Sequence, residues 1–516
     1  MQREALAPSL QPLLSPIALA ITASIQYVLL ILSTGYALPV PMTLLSILEC
    51  LLGLQLLVAW YDRSSCFSLL HIYALSALFI FRYLFLFMDI PGMWGLRAGT
   101  EMDALLYFFT YTLGIVCLHP ACLHWTRERS DWLSIYVGKR KILFGVLSAI
   151  LLALIFWLFT SRNISRDGMD WILRTSRPVW HLYLREPLTI GLYRAVYLLT
   201  GSFLTPREII SWFSIIAGVW SVFWFLRWVR ERFSRNDKIL AAFLLFCSSG
   251  GMLVLFFGHI EVYPVLIAGF FTCFHFALAY HNNKNKVEWM ALSLSVTFLL
   301  HLSTGWILPA FLLLPFLKHG LNRSAAVDFL RFCMVFGAVQ VLFWLSLLYY
   351  GYGGNLTALT ARLHHDFHVG PDRAMFLPRQ MIFHPWHLND LLNEYFYLSI
   401  PCVILALPAL WRLFVSKQKY DFFLFMCAFS YLLYTLLWNP DRGFPEDWDL
   451  FSPLVPLMVL FQLSVLLNGN THAGRNEPDT MYLEILYIVC LGCLPFSLAQ
   501  VYYHHLTPFF SPQWAP

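Results

Sequence analysis

The chain has 516 residues, of which 59% are hydrophobic and only 12% are charged, and its net charge is +5. Soluble domains have about a quarter of their residues charged, so this composition excludes an ordinary soluble protein. The small net charge gives no reason to expect a nucleic-acid partner.

Apolar runs long enough to cross a bilayer recur along the whole sequence, and they predict transmembrane helices because lipid offers the backbone no water to bond. We predict an all-α fold, a polytopic transmembrane helical bundle of about 13–15 spans with a structured first outer loop carrying interfacial helices. The predicted spans are 16–36, 41–61, 67–88, 104–120, 142–160, 208–227, 239–257, 260–280, 288–304, 305–317, 326–350, 395–411, 420–438, 451–467 and 479–501. The stretch 288–317 fits either one bent span or two short ones.

These spans divide the chain into four predicted parts. They are an N-terminal four-span module (1–123), a basic cytoplasmic linker (124–141), a transmembrane core (142–501) and a short outer tail (502–516). The long outer loops of the core are 161–207, 351–394 and 439–450.

Five basic segments set the predicted orientation, because short loops rich in Lys and Arg stay in the cytoplasm. They are 124–141, 227–238, 284–286, 318–323 and 412–419. An even number of predicted spans separates each neighbouring pair, which puts the N-terminus inside and the C-terminus outside. The remaining polar loops then share the outer face, and their acids and His residues predict one site there. Plain solvated loops are the alternative.

The first outer loop begins with the charged, aromatic stretch RDGMDWILRTSRPVWHLYLRE, residues 166–186. Asp167 and Asp170 are three apart, so on a helix they share a face. From Pro187 to Leu199 the apolar spacing predicts a helix lying in the membrane interface. The loop is also rich in Arg, which suits the phosphate of a lipid headgroup or a lipid-linked sugar, with local salt bridges as the alternative.

The sequence TPRE, residues 205–208, predicts the start of the next span. Thr205 is the expected N-cap and Pro206 the first helical residue. Glu208 is placed to complete a capping box.

Three further motifs hold candidate site residues. GHIEVYP sets His259 and Glu261 at a membrane boundary, where an ionisable residue is a functional candidate unless it faces water. WNPDRGFPEDWDLFSP offers Asp447, Trp448 and Asp449, a combination of carboxylates and an aromatic face that suits sugar hydroxyls and a sugar ring. RLHHDFHVGPDR offers His364, Asp366 and His368 as metal ligands, with a plain polar loop as the alternative.

With these motifs, residues 141–500 resemble the GT-C superfamily of membrane glycosyltransferases. The resemblance is carried by SRDGMD just after a span, by YLREPLTIGLYR as an interfacial helix, and by FFGHIEVYPVL, HLNDLLNEYFYLSIP and PEDWDLFSP, which look like motifs of bacterial members. It implies a mannosyltransferase-like enzyme that moves a hexose or pentose from a polyprenyl-phosphate carrier at the outer face of a bacterial inner (plasma) membrane. The implied partners are a lipid-linked sugar donor, a glycan, lipid or protein acceptor, and the bilayer.

The chemistry of such a transfer assigns expected roles to the candidates. A carboxylate must accept the proton of the attacking hydroxyl, and cations must stabilise the leaving phosphate. The expected catalytic residues are Asp167, Asp170 and Glu261. The expected residues for substrate or donor phosphate are Arg185, Glu186, Arg194, His259, Asp447, Trp448 and Asp449. A divalent ion, Mg²⁺ or Mn²⁺, is a further candidate cofactor, with His364, Asp366 and His368 as its ligands.

A transporter or lipid flippase without transferase activity is the alternative function. It would need polar groups and broken helices in the middle of the membrane, and a path open to both faces. The predicted spans are nearly free of charge at mid-depth, Arg82 being an exception, and the polar loops gather at one face. That distribution favours an enzyme at the outer face.

Overall fold

The structure is a computed structural model that describes residues 77, 141–161, 166–177, 185–201, 203–349, 377, 382–416, 418–438, 448–467 and 477–506. Its helices are α1 (Lys141–Leu158), α2 (Arg166–Ser176), α3 (Pro187–Leu199), α4 (Pro206–Arg232), α5 (Asn236–Cys247), α6 (Gly250–Phe256), α7 (Tyr263–His281), α8 (Val287–Leu300), a 3₁₀ turn (Leu302–Trp306), α9 (Leu308–His319), α10 (Arg323–Tyr349), α11 (Pro385–Ser416), α12 (Lys419–Leu437), α13 (Trp448–Phe451), α14 (Leu454–Leu467) and α15 (Glu477–Leu506). The four predicted N-terminal spans lie outside the described residues, apart from Ala77.

The described part of the chain is a polytopic helical bundle, as predicted. By length and composition, eight of its helices could cross a membrane, or nine if one bent pair counts as a single span. At the centre lie α7 and the α13–α14 unit, whose apolar windows are 83% and 89% buried. At the edge lies α10, whose window is only 11% buried, so its apolar surface faces outward to where lipid would lie. This arrangement confirms an integral, multi-pass membrane protein.

The capping box at the start of α4 is confirmed. Glu208 Oε2 accepts a hydrogen bond from the backbone N–H of Thr205 at 2.7 Å, and Thr205 Oγ1 accepts one from the backbone N–H of Glu208 at 3.3 Å. Pro206 occupies the first helical position. The cap fixes where the first loop ends and the long helix begins.

The predicted span at 239–257 is not one continuous helix, because α5 and α6 are separate helices bent by 77°. The hydroxyl of Ser249 bonds back to the carbonyl of Leu245 at 3.0 Å, a contact that competes with helix continuation. Gly251 follows, and a Cβ there would lie 2.7 Å from Leu398 Cα. The break therefore brings two backbones together, which a hydropathy pattern cannot indicate.

A second irregularity lies in α11, which covers the end of the predicted loop 351–394 as well as the predicted span 395–411. Ser399 has non-helical backbone angles, and Pro401 lacks the N–H that would bond the carbonyl of Tyr397. That carbonyl accepts a hydrogen bond from Gln500 Nε2 at 2.9 Å.

The stretch 288–317, which fitted either one bent span or two short ones, forms two helices. They are α8 and α9, and the 3₁₀ turn lies between them.

The two breaks face each other and are joined by α15. Ser249 Oγ and Ser399 Oγ are 2.9 Å apart. On α15, Ser497 donates to the carbonyl of Ser248 at 2.6 Å, one turn before the Gln500 bond to α11. Carbonyls that the breaks would leave unsatisfied are thus bonded by side chains of a third helix.

The end of the bundle opposite the first loop holds a buried ion pair. Arg232 at the end of α4 lies 2.8 Å from Asp421 in the first turn of α12, and Asp421 is fully buried. Ser464 donates to Asp421 Oδ1 at 2.6 Å, and Gln418 accepts from Arg232 at 3.0 Å. These bonds tie α4, α12 and α14 together at that end.

Candidate functional site

The first loop folds onto the end of the bundle through α2 and α3, which both pack against α4. Asp167 belongs to the first turn of α2, and its side chain is outside what the structure describes. Asp170 lies one turn further on and is half-buried. Both acids therefore lie on one helix of the first loop, as their spacing of three residues predicted.

Glu261 is where the first loop meets the rest of the bundle. The indole of Trp171, on α2, donates a hydrogen bond to Glu261 Oε2 at 2.7 Å. The hydroxyl of Tyr193, on α3, donates to the backbone carbonyl of Glu261 at 3.0 Å. Burial, and secondarily the charge of Glu261, raises the pKa of Tyr193 well above its ordinary value, so the phenol remains a donor.

The turn that carries His259 and Glu261 is held by its backbone. Gly258 has φ +69°, and a Cβ there would lie 2.6 Å from Thr160 Cγ2, so only glycine fits. Ser211, on α4, donates to the Gly258 carbonyl at 3.0 Å. The backbone that carries both side chains is therefore held in place by the protein itself.

Asp449, at the start of α13, completes a cluster with His259 and Glu261. One ligand atom from each of the three lies within 4.8 Å of the others, and all three residues are buried. His259 Nε2 lies 3.4 Å from Asp449 Oδ2. These side chains have the chemistry to hold a divalent cation or to bond the hydroxyls of a sugar.

His259 is neutral in this environment. Burial lowers its pKa from 6.5 to about 4. Its Nδ1 is buried and has no hydrogen-bond partner among the described residues. A neutral imidazole with a nitrogen still to be bonded can act as a metal ligand or as a hydrogen-bonding group for a substrate.

Aromatic rings form one wall of the cluster. The ring of Trp448 lies 5.4 Å from that of His259 and 5.1 Å from that of Tyr397. The ring of His504, on α15, lies 5.3 Å from His259. The acids of the cluster therefore border an aromatic face.

A second buried pair stands at the start of α3. Glu186 Oε1 is 3.0 Å from His301 Nε2. His301 Nδ1 accepts the backbone N–H of Ser303 at 3.1 Å, so the ring proton is on Nε2 and is donated to Glu186. The other oxygen, Glu186 Oε2, is buried without a hydrogen-bond partner in the described part of the chain. Tyr263 lies beside this pair, 5.3 Å from the His301 ring.

The two arginines expected at the donor phosphate have different surroundings. Arg185 is half-buried, and its guanidinium lies 5.6 Å from the ring centre of Trp438. Arg194 is buried, and its guanidinium donates to the carbonyl of Arg177 at the end of α2. Arg194 therefore links α3 to α2, whereas Arg185 lies at an edge.

Beside Arg185 runs an apolar groove of about 330 Å³ between the 3₁₀ turn and α12. It is lined by Leu302, Gly305, Trp306, Pro309, Ser430 and Leu433. The backbone N–H of Leu302 donates to the carbonyl of Arg185 at 2.8 Å. The groove thus adjoins the backbone of Arg185, and no residue of the carboxylate cluster lines it.

Some predicted site residues lie outside the described residues, namely Asp447, His364, Asp366 and His368. The structure brings together His259, Glu261, Trp448 and Asp449. Sequence reasoning missed Trp171 and Tyr193 as supports of Glu261, and it missed His301 as the partner of Glu186. Nothing local in the sequence pairs Trp171 with Glu261, because 90 residues separate them.

Comparison with known proteins adds no relative to this picture. No protein-family model matches the chain, and no curated protein or solved structure matches it either.

Proposed function

We propose that this chain is a membrane glycosyltransferase of the GT-C type, which moves a sugar from a polyprenyl-phosphate carrier to an acceptor hydroxyl. The observation that carries the proposal is the 2.7 Å hydrogen bond from Trp171 to Glu261. It attaches the helix bearing Asp167 and Asp170 to a buried cluster of carboxylates and imidazoles. Acids from separate segments therefore meet at one end of the bundle, as one reaction centre requires.

In this proposal the first-loop acids perform the chemistry. Asp167 accepts the proton of the attacking hydroxyl, which then bonds to the anomeric carbon as the bond to the carrier phosphate breaks. Asp170, one turn away on the same helix, is the second candidate for this role. Glu261 orients the acceptor, because its position is fixed by two hydrogen bonds from the first loop.

Sugar recognition is assigned to the aromatic wall and its acids. Trp448 offers an apolar face for a sugar ring, and Asp449 and Glu186 offer carboxylate oxygens for hydroxyls. Glu186 Oε2, which has no hydrogen-bond partner among the residues that the structure describes, is an acceptor for such a hydroxyl. His301 holds that carboxylate in place through its other oxygen.

The carrier is assigned to Arg185 and the apolar groove beside it. A polyprenyl phosphate combines a hydrocarbon chain with an anionic end, and here the backbone of Arg185 contacts the edge of an apolar groove of about 330 Å³. Arg binds phosphate through a planar pair of N–H groups. We favour Arg185 over Arg194 for this role, because the buried Arg194 side chain joins α3 to α2.

The broken helices are a specific observation in favour of the alternative, a lipid transporter. Discontinuous helices in transporters expose carbonyls that bind ions or substrate. Here, however, the carbonyls of Ser248 and Tyr397 accept hydrogen bonds from Ser497 and Gln500. Because these carbonyls are already bonded within the protein, the breaks support the transporter function less than the cluster supports an enzyme.

One assay separates the two functions. The purified chain is reconstituted in liposomes with a labelled polyprenyl-phosphate hexose and with candidate acceptors extracted from the host membrane. Glycosyl transfer predicts release of free polyprenyl phosphate. Transport predicts movement of the intact lipid between leaflets, and that result without release would contradict the proposal.

The same assay tests Arg185. We expect Arg185→Ala to raise the donor KM, and Arg185→Lys to restore only part of the loss, because Lys lacks the planar fork. A loss of one charged hydrogen-bonding partner corresponds to a change of roughly 10-fold or more. Unchanged donor kinetics in both variants would remove Arg185 from the donor site.

We also propose that the first-loop end faces outward from a bacterial plasma membrane and that the N-terminus is cytoplasmic, as the basic segments indicate. Glu208 and Lys284 are exposed residues at opposite ends of the bundle. In a chain whose native Cys are replaced, Glu208→Cys should react with an impermeant thiol reagent in intact cells. Lys284→Cys should react only after the membrane is permeabilised. The reverse pattern would invert the orientation.

A further inference from the structure

The turn before α7 and the start of α13 place three potential ligands of one ion together. We infer that His259, Glu261 and Asp449 bind a single divalent metal ion. The ligand atoms lie within 4.8 Å of one another. Ligands of a tetrahedral ion with bonds of about 2.0–2.2 Å are about 3.4 Å apart.

Neighbouring residues hold these ligands in place through hydrogen bonds and a tight turn. Trp171 donates to one oxygen of Glu261, and a carboxylate with two oxygens can accept that bond and still bind a metal. The backbone of the His259 turn is held by Ser211 and by the left-handed Gly258. Supports of this kind orient metal ligands and raise affinity. Side-chain movements on the order of 1 Å would complete the coordination.

A second observation, on the imidazole of His259, also indicates a bound ion. The residue is 4% exposed, and its Nδ1 is buried with no hydrogen-bond partner among the residues that the structure describes. Buried polar nitrogens are bonded in the great majority of cases. An ion bound to Nδ1 would give that nitrogen a partner, and Nε2 would remain directed to the carboxylate of Asp449, 3.4 Å away.

The donor set indicates the kind of metal. One imidazole and two carboxylates suit Zn²⁺ or Mn²⁺, whereas Mg²⁺ and Ca²⁺ prefer oxygen ligands alone. Three protein ligands also leave a coordination position for a substrate oxygen, as in catalytic sites. If the proposed function holds, the ion would bind and polarise an acceptor hydroxyl beside Glu261, and this role rests on that function.

Metal binding itself can be measured without any substrate. The full-length chain, purified in detergent and stripped with a chelator, is titrated with Mn²⁺ while the electron paramagnetic resonance signal of free Mn²⁺ is recorded. We expect one bound Mn²⁺ per chain. Glu261→Gln and Asp449→Asn should each weaken binding by on the order of 100-fold, and Trp171→Phe, which keeps all three ligands, by about 10-fold.

Matched controls are Glu208→Gln and Asp237→Asn, carboxylates away from the cluster, which should bind as the parent does. Binding that is absent in the folded parent, or that persists in the two ligand variants, would overturn the inference. The outcome is independent of the proposed function. A chain that transfers the sugar but binds no Mn²⁺ would reject the metal and keep the enzyme, whereas Mn²⁺ bound at these residues without transfer would do the reverse.

Discussion

Replacing Asp167 with Asn is expected to lower turnover by about 10² to 10⁴, the usual contribution of a general base. The amide keeps the shape of the side chain but cannot accept the proton of an attacking hydroxyl. Donor KM should change little, since the phosphate contacts are assigned to Arg185. The measurement is the initial rate of polyprenyl-phosphate release by the reconstituted chain, at equal amounts of folded protein.

The matched control for this variant is Asp170→Asn, on the same helix and one turn away. A smaller loss in Asp170→Asn than in Asp167→Asn would support Asp167 as the base. The reverse order would move the role to Asp170, which is next in sequence to the Trp171 that reaches Glu261. Full turnover in both variants would contradict a first-loop base.

Replacing Asp421 with Asn should destabilise the fold by about 3–5 kcal/mol, because it leaves the Arg232 charge in the interior without its partner. Asp421 is fully buried and Arg232 is 11% exposed, so water cannot replace the lost carboxylate. The free energy of unfolding can be measured by titrating the purified chain with a denaturing detergent. The detergent concentration at which half of the protein is unfolded should be clearly lower than for the parent.

The control is a second Arg–Asp pair at the same end of the bundle. Arg235 and Asp237 also form an ion pair, but the Arg side chain is 53% exposed. Asp237→Asn should therefore change stability by only about 0–1 kcal/mol. Joint replacement of Arg232 by Met and Asp421 by Leu should recover most of the loss. Equal effects of Asp421→Asn and Asp237→Asn would show that burial of the pair does not matter.

The sequence predicts the regular helices well because their signals are local. A long apolar run is sufficient to predict a span such as α4 or α12, and Thr205 with Glu208 is sufficient to predict a start. The bend between α5 and α6 differs, because Ser248 and Ser249 lie inside an apolar run that reads as one span. Their effect depends on contacts with Leu398 and Ser497, which come from helices much later in the chain.

The candidate site was predictable residue by residue, but its geometry was not. His259, Glu261 and Asp449 each occupy a boundary position that marks a functional candidate. That they share one cluster follows from the packing of α2, α3 and α13 around the turn before α7. The support of Glu261 by Trp171, and of Glu186 by His301, depends on long-range contacts that no spacing rule encodes.

The position of α15 in the chain has a consequence for how the protein is made. Ser497 and Gln500 bond the carbonyls at both helix breaks, yet Ser497 is synthesised 249 residues after Ser248. While the ribosome is still translating, the bent α5–α6 pair and the irregular α11 would sit in the membrane with backbone groups exposed to lipid. Such groups are costly in hydrocarbon, so the bundle can settle into its final arrangement only after α15 has been inserted.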